Sequence, residues 1–218
     1  MKVQLLRNGK PICYNLQKWD KTHSPILLIT GLSGSGKTTF AQKFAKCHDA
    51  ICVSFDVLKF YPESPKQSQK LLDIFLEKYP KIKKNISIRW KKTDKAYSND
   101  ILFDYYCNLF FDFLIEYSKL NKKKIVLEGI QVFVRLHPAK SVGLPIIIIR
   151  NSGMHSFFNK LKRDHLKKEL FKIDFRFLSC VIYDIYVYYV RQRKLLNMYI
   201  KYLTTLHKLY NIASNIGE

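Results

Sequence analysis

Eight consecutive residues, Gly31-Leu-Ser-Gly-Ser-Gly-Lys-Thr38, satisfy every fixed position of the pattern G-x-x-x-x-G-K-[ST]. Glycines at these positions let the backbone turn tightly, so that several N–H groups aim at phosphate oxygens. Lys37 is spaced to reach the outer phosphates of a nucleotide, and the Thr38 hydroxyl to ligate a magnesium ion. Gly31, Ser33, Gly34, Ser35, Gly36, Lys37, Thr38 and Thr39 are therefore the candidate nucleotide-binding residues. The loop follows an apolar run, Ile26 to Ile29, and opens a helix-like stretch from Lys37 to Cys47. The positive end of that helix adds to the attraction for an anion.

Two acids stand where chemistry would need them. Asp56 lies just past a second apolar run, Ala50 to Ser54. In a doubly wound fold the carboxyl ends of the strands line the ligand crevice, and a carboxylate there can take the proton of an attacking hydroxyl or hold metal. The ordinary alternative is an acid that caps a helix or turn. Glu128 closes a third run, Lys124 to Leu127, and is followed by Gly129. An acid ending an apolar strand is costly unless it has a partner, which makes Glu128 a candidate for magnesium, directly or through its waters.

At these residues the chain resembles the P-loop kinases. The form G-L-S-G-S-G-K-T-T is similar to that of small-molecule and nucleotide kinases, and no N-K-x-D guanine motif is present, so ATP is the expected nucleotide. Asp56 followed by Pro62, and the Glu128-Gly129 pair, resemble the zeta-toxin-like kinases in particular. The resemblance implies an acceptor-side role for Asp56. It also places Glu128 at the acceptor, whereas the strand-end position points to metal; both roles stay open. The usual strand-end acid of P-loop proteins is Asp, and Glu is a departure. Kinases of this group bring an arginine over the phosphates from a lid after the fourth strand. Arg163, in Lys160-Leu-Lys-Arg-Asp164, is the expected counterpart, against the plainer reading of an exposed basic helix face.

The elements that must position these groups can be read from the same sequence. Four apolar runs, the last being Ile146 to Ile149 after Pro145, fit buried parallel strands. Helix-like stretches lie between them, at Lys37 to Cys47, Pro65 to Tyr79 and Ser98 to Leu120. Two more follow, Met154 to Phe171 and a long one over Ser179 to Ile212 whose aromatic stripe reads as core packing. Strand alternating with helix predicts an α/β, three-layer P-loop NTPase fold, with a central, mainly parallel sheet and a long C-terminal helix. No repeat or linker divides the 218 residues, so one domain is expected. Residues 1–24 form an extension, with a hairpin around Asn8-Gly9 whose second arm, after Pro11, takes a sheet edge.

Composition narrows the setting. At 47% hydrophobic and 25% charged the chain has a globular profile. Five scattered cysteines without a C-x-x-C pair argue against a disulfide framework and a zinc site. Neither a signal peptide nor a membrane span is evident, predicting a soluble, cytoplasmic protein. The net charge of +21 admits a nucleic-acid partner, although a Lys-rich compositional bias accounts for it equally. Lys78 to Lys95, with Lys81, Lys83, Lys84, Arg89, Lys91 and Lys92, is a basic insertion after Asp56. It reads as a solvated loop or as a surface for an anionic acceptor, on which Trp90 would stack a base or anchor the chain.

The expected chemistry is phosphoryl transfer from Mg-ATP to a hydroxyl-bearing or anionic acceptor: a small molecule, nucleotide or sugar nucleotide. Catalysis would rest on Lys37, Asp56, Glu128 and Arg163, with Thr38 and Glu128 at the metal. The alternatives are a polynucleotide 5′-end kinase and a non-kinase NTPase switch.

Overall fold

The computed structural model of the chain describes residues 12–14, 16, 19, 25–61, 64–90, 101–141, 143–149, 186 and 189–206. The Asn8-Gly9 turn, Pro62, Lys91 to Lys95, Arg150, the stretch from Met154 to Phe171 and Arg163 lie outside these residues. The chain divides into two compact units. One is Ile12–Thr30 with Lys37–Ile148; among the described residues the other holds Gly31–Gly36, Ile149 and the helical residues 186 and 189–206.

The first unit is built on a five-stranded sheet ordered β1-β5-β2-β4-β3. The strands are β1 (Ile12–Tyr14), β2 (Ile26–Gly31), β3 (Ile51–Ser54), β4 (Ile125–Glu128) and β5 (Ile146–Ile149). β2 and β3 both pair parallel with β4, and β1 runs antiparallel along β5 at the sheet edge. On the other flank of β2, the Leu28 N–H donates to the Pro145 carbonyl at 2.9 Å. Ile26, Leu27, Leu28 and Ile29 are wholly buried, as are Ile125, Val126 and Leu127. These runs carry no polar face because helices cover both sides of a parallel sheet.

The first connection, from β2 to β3, uses α1 (Lys37–Cys47) and skips one sheet position, which β4 later fills. Neighbours of β2 on its two sides thus come from later parts of the chain, the arrangement that opens a crevice at the strands' carboxyl ends. The register places Glu128 opposite Ile29 on one side and Ser54 on the other.

Two helices brace the end of β3. In α2 (Lys66–Lys78), Ser68, Leu71, Leu72, Phe75 and Leu76 are buried, a stripe at helical spacing. In α4 (Ile101–Leu120), the buried set includes Phe103, Cys107, Phe110, Phe113 and Leu114. The Phe75 ring lies 5.2 Å from that of Phe110 and 5.5 Å from that of Phe113, and Phe55 packs edge-on to Phe110 at 6.2 Å. Each fully buried phenylalanine contributes about 1.5–3 kcal/mol by leaving water.

The segment after α2 is not a loop. Pro80–Trp90 forms α3, starting on a proline whose missing N–H costs nothing in a first turn. Ile82 and Ile86, four apart, are its buried contacts, while Lys81, Lys83 and Lys84 face outward. Two apolar residues among so many lysines were too weak a pattern to stand out in the sequence.

In the second unit, residues 189–206 form a helix, α7, after the short α5 (Gln131–Val134) and α6 (Pro138–Ser141). Its buried stripe is Gln192, Leu196, Tyr199 and Leu203. Among the described residues no helix is long and apolar enough to cross a membrane.

Candidate active site

The loop from Gly31 to Gly36 joins β2 to α1 and is a tight turn. Gly34 and Gly36 hold φ values of +79° and +83°, left-handed backbone that other residues reach only with strain. The Ser35 N–H donates to the Leu32 carbonyl at 3.1 Å, and the Ser33 N–H donates to the Gln192 side-chain oxygen at 3.2 Å. Ser35 is fully buried. These are the spacing and turn expected of a loop that collects N–H donors.

Lys37 and Thr38 open α1, and both face the end of β4. Lys37 is buried to 7% exposure, an unusual state for a lysine unless an acid is near. Thr38 donates its hydroxyl to a Glu128 carboxylate oxygen at 3.2 Å. Thr39 is exposed in the same first turn.

Glu128 is 1% exposed. Burial pushes its carboxyl above the ordinary range. The Lys37 charge and a Ser54 hydroxyl hydrogen bond pull it back, the Asp56 charge raises it further, and the Thr38 bond lowers it. Gly129 is required next to it: a Cβ there would lie 3.0 Å from the Phe55 Cβ. The buried Thr30 hydroxyl donates to the Gly129 carbonyl at 2.8 Å, which fixes the strand end.

Asp56 sits in a single 3-10 turn, Phe55–Leu58, whose Phe55, Val57 and Leu58 are all buried. The turn is pinned on its own side by the Ser54 N–H, which donates to the Ser68 hydroxyl of α2 at 2.9 Å. Asp56 is half-buried, and one carboxylate oxygen accepts a hydrogen bond from the Gln131 amide at 3.1 Å. It lies inside the turn rather than at its cap, which Ser54 occupies without a side-chain bond. The capping role weighed against Asp56 therefore has no support in this geometry.

Lys37, Thr38, Asp56 and Glu128 are thus brought together at one end of the sheet. Gln131 and Ser54 join them, and sequence reasoning missed both. Gln131 was legible only as one polar residue in the apolar run Ile130 to Val134, and Ser54 as a polar stop between Val53 and Phe55.

A pH prediction follows for the protein in chelator. Because its folded carboxyl is raised, Glu128 binds its proton more tightly in the folded than in the unfolded chain. Its contribution is therefore fully present below the unfolded value and is lost as pH climbs through the folded one. Melting temperatures across roughly pH 4 to 7 should fall more steeply in the wild type than in Glu128→Gln. Parallel curves would show that Glu128 titrates as it does unfolded.

No protein-family model matches the chain, and no curated protein matches it.

Proposed function

We propose that the chain is an ATP-dependent phosphotransferase of P-loop type, acting on a hydroxyl of a small-molecule, nucleotide or sugar-nucleotide acceptor. One observation carries the reading. A complete phosphate-loop pattern runs into a buried Lys37 and a Thr38 hydroxyl bonded to Glu128, while Asp56 is held at the same sheet end by Gln131. The sheet order and the switch at β2 support the P-loop NTPase fold.

The donor set fits magnesium. Thr38 and Glu128 offer hard oxygens 3.2 Å apart, close to the about 2.9 Å between neighbouring ligands of an octahedral Mg²⁺. That ion would neutralise phosphate charge and takes its other ligands from water and phosphate. Lys37 and the N–H groups at the start of α1 hold phosphate oxygens and oppose the charge that grows as the γ-phosphoryl leaves. Asp56 accepts the proton of the acceptor hydroxyl as its oxygen bonds to phosphorus and the bond to ADP breaks. The Gln131 amide, donating to one Asp56 oxygen, leaves the other free in orientation to face that proton. Arg163, outside the described residues, remains the proposed lid cation.

The test is incubation with γ-labelled ATP and magnesium, with separate pools of sugars, sugar nucleotides, nucleosides and oligonucleotides. Label transferred to one pool names the acceptor class. Hydrolysis without transfer to any pool would favour a switch.

The three outward lysines of α3 favour a second reading, a polynucleotide end as acceptor. If they bind a phosphate backbone, affinity for an oligonucleotide should fall steeply with salt as counterions are released. Neutralising Lys81, Lys83 and Lys84 together should then reduce the slope by about 2 to 3. An unchanged slope retires these lysines as a nucleic-acid surface.

A further inference from the structure

We infer that Gln192 of α7 is a positioning residue of the phosphate loop that distinguishes a nucleoside triphosphate from a diphosphate. The inference rests on the nucleotide-binding reading above. It starts from an anomaly in α7: Gln192 heads a buried stripe otherwise made of Leu196, Tyr199 and Leu203, yet is itself only 4% exposed. A carboxamide in such a stripe is costly unless both its ends are satisfied.

Only one end is. The side-chain oxygen accepts the Ser33 N–H of the phosphate loop at 3.2 Å. The amide nitrogen is buried, and among the described residues it has no hydrogen-bond partner. Both atoms hang from one carbon, so the unused donor lies beside the same loop. The arrangement has a carbonyl oxygen in the place where such loops accept an anion's oxygen, and next to it an N–H₂ group without an acceptor.

A phosphate oxygen is the acceptor that this donor lacks. Donors to an ionised group make the stronger hydrogen bonds, so an anion gains more from this amide than a neutral group would. The loop's own order says which phosphate. The N–H groups that open α1, from Gly36 to Thr38, belong with the inner phosphates. Ser33 lies at the other end of the loop, so the oxygen nearest Gln192 is that of the outermost phosphate. Gln192 thereby links occupancy of the triphosphate site to the seat of α7, and a diphosphate leaves its amide unmet.

The test is calorimetric titration of the full chain with Mg-ATP and with Mg-ADP. Gln192→Glu keeps the shape but puts a carboxylate oxygen where the donor was. Gln192→Met keeps the length, removes both polar ends and suits a buried stripe, so it carries the test should the glutamate variant fail to fold. The expected result is a loss of ATP affinity of roughly tenfold to a hundredfold in Gln192→Glu, with ADP affinity changed by less than about threefold. Gln192→Met should lose ATP affinity in the same direction by a smaller factor. Melting curves without nucleotide give the independent readout. A lower melting temperature with an unchanged ratio of ATP to ADP affinity would make Gln192 a packing residue and overturn the inference. Wild-type protein that binds neither nucleotide would overturn the parent reading along with it. Binding that is lost in Lys37→Ala but keeps its ATP-to-ADP ratio in both Gln192 variants would overturn the inference alone.

Discussion

Lys37→Ala is expected to abolish ATP turnover, by at least about 10²-fold, while the circular-dichroism spectrum stays that of the wild type. A single preorganised donor aimed at developing charge is worth about 10² to 10³ in rate, and Lys37 brings a full positive charge as well. The fold should survive because the lysine heads α1 and is not a member of its apolar face, which is Ala41, Phe44 and Ala45. Its loss does remove the cation that opposes the raised Glu128 carboxyl. Glu128 then holds its proton to still higher pH, a cheaper outcome than an unpaired buried charge. Lys37→Met, which keeps the buried stem, should match the alanine variant in turnover and exceed it in melting temperature. Turnover at the wild-type level in either variant would end the phosphate-loop assignment.

Asp56→Asn should retain ATP affinity and lose transfer to the acceptor by about 10² to 10⁴, the scale for removing a positioned general base. The asparagine keeps the half-buried volume and can still accept the Gln131 hydrogen bond, so the 3-10 turn should hold. Three outcomes separate three roles. Slow transfer at an unchanged magnesium requirement marks Asp56 as the base. A shifted magnesium requirement marks a metal role through Glu128, whose carboxyl already feels the Asp56 charge. Unchanged chemistry with stability lower by about 1 kcal/mol marks a structural acid and moves weight to a switch. Gln131→Leu gives the intermediate case. It leaves the Asp56 carboxylate in place without its donor, so transfer should fall less than in Asp56→Asn, and the pH at which activity appears should rise, because a hydrogen bond to the ionised form is lost.

How far the sequence alone reaches depends on how local the cause is. The phosphate loop could be read in full, because its chemistry needs glycines, a lysine and a hydroxyl at fixed separations along one turn. The strands could be read nearly to the residue, since a strand buried on both faces must be apolar throughout, as Ile26 to Ile29 and Ile125 to Leu127 are. Asp56 and Glu128 stood out because an acid at the end of such a run has few ordinary reasons to be there. The α3 helix did not stand out, its fold resting on two isoleucines that meet partners distant in sequence. What only the tertiary structure decided is which of these groups meet. The insertion of β4 between β2 and β3 sets Glu128 beside both Ile29 and Ser54, and no spacing along the chain encodes that order. The Gln131 bond to Asp56 spans 75 residues and the Gln192 bond to Ser33 spans 159. A lone glutamine has no sequence pattern to betray it: its partner is chosen by the packing that buries it, and burial is a property of the whole fold.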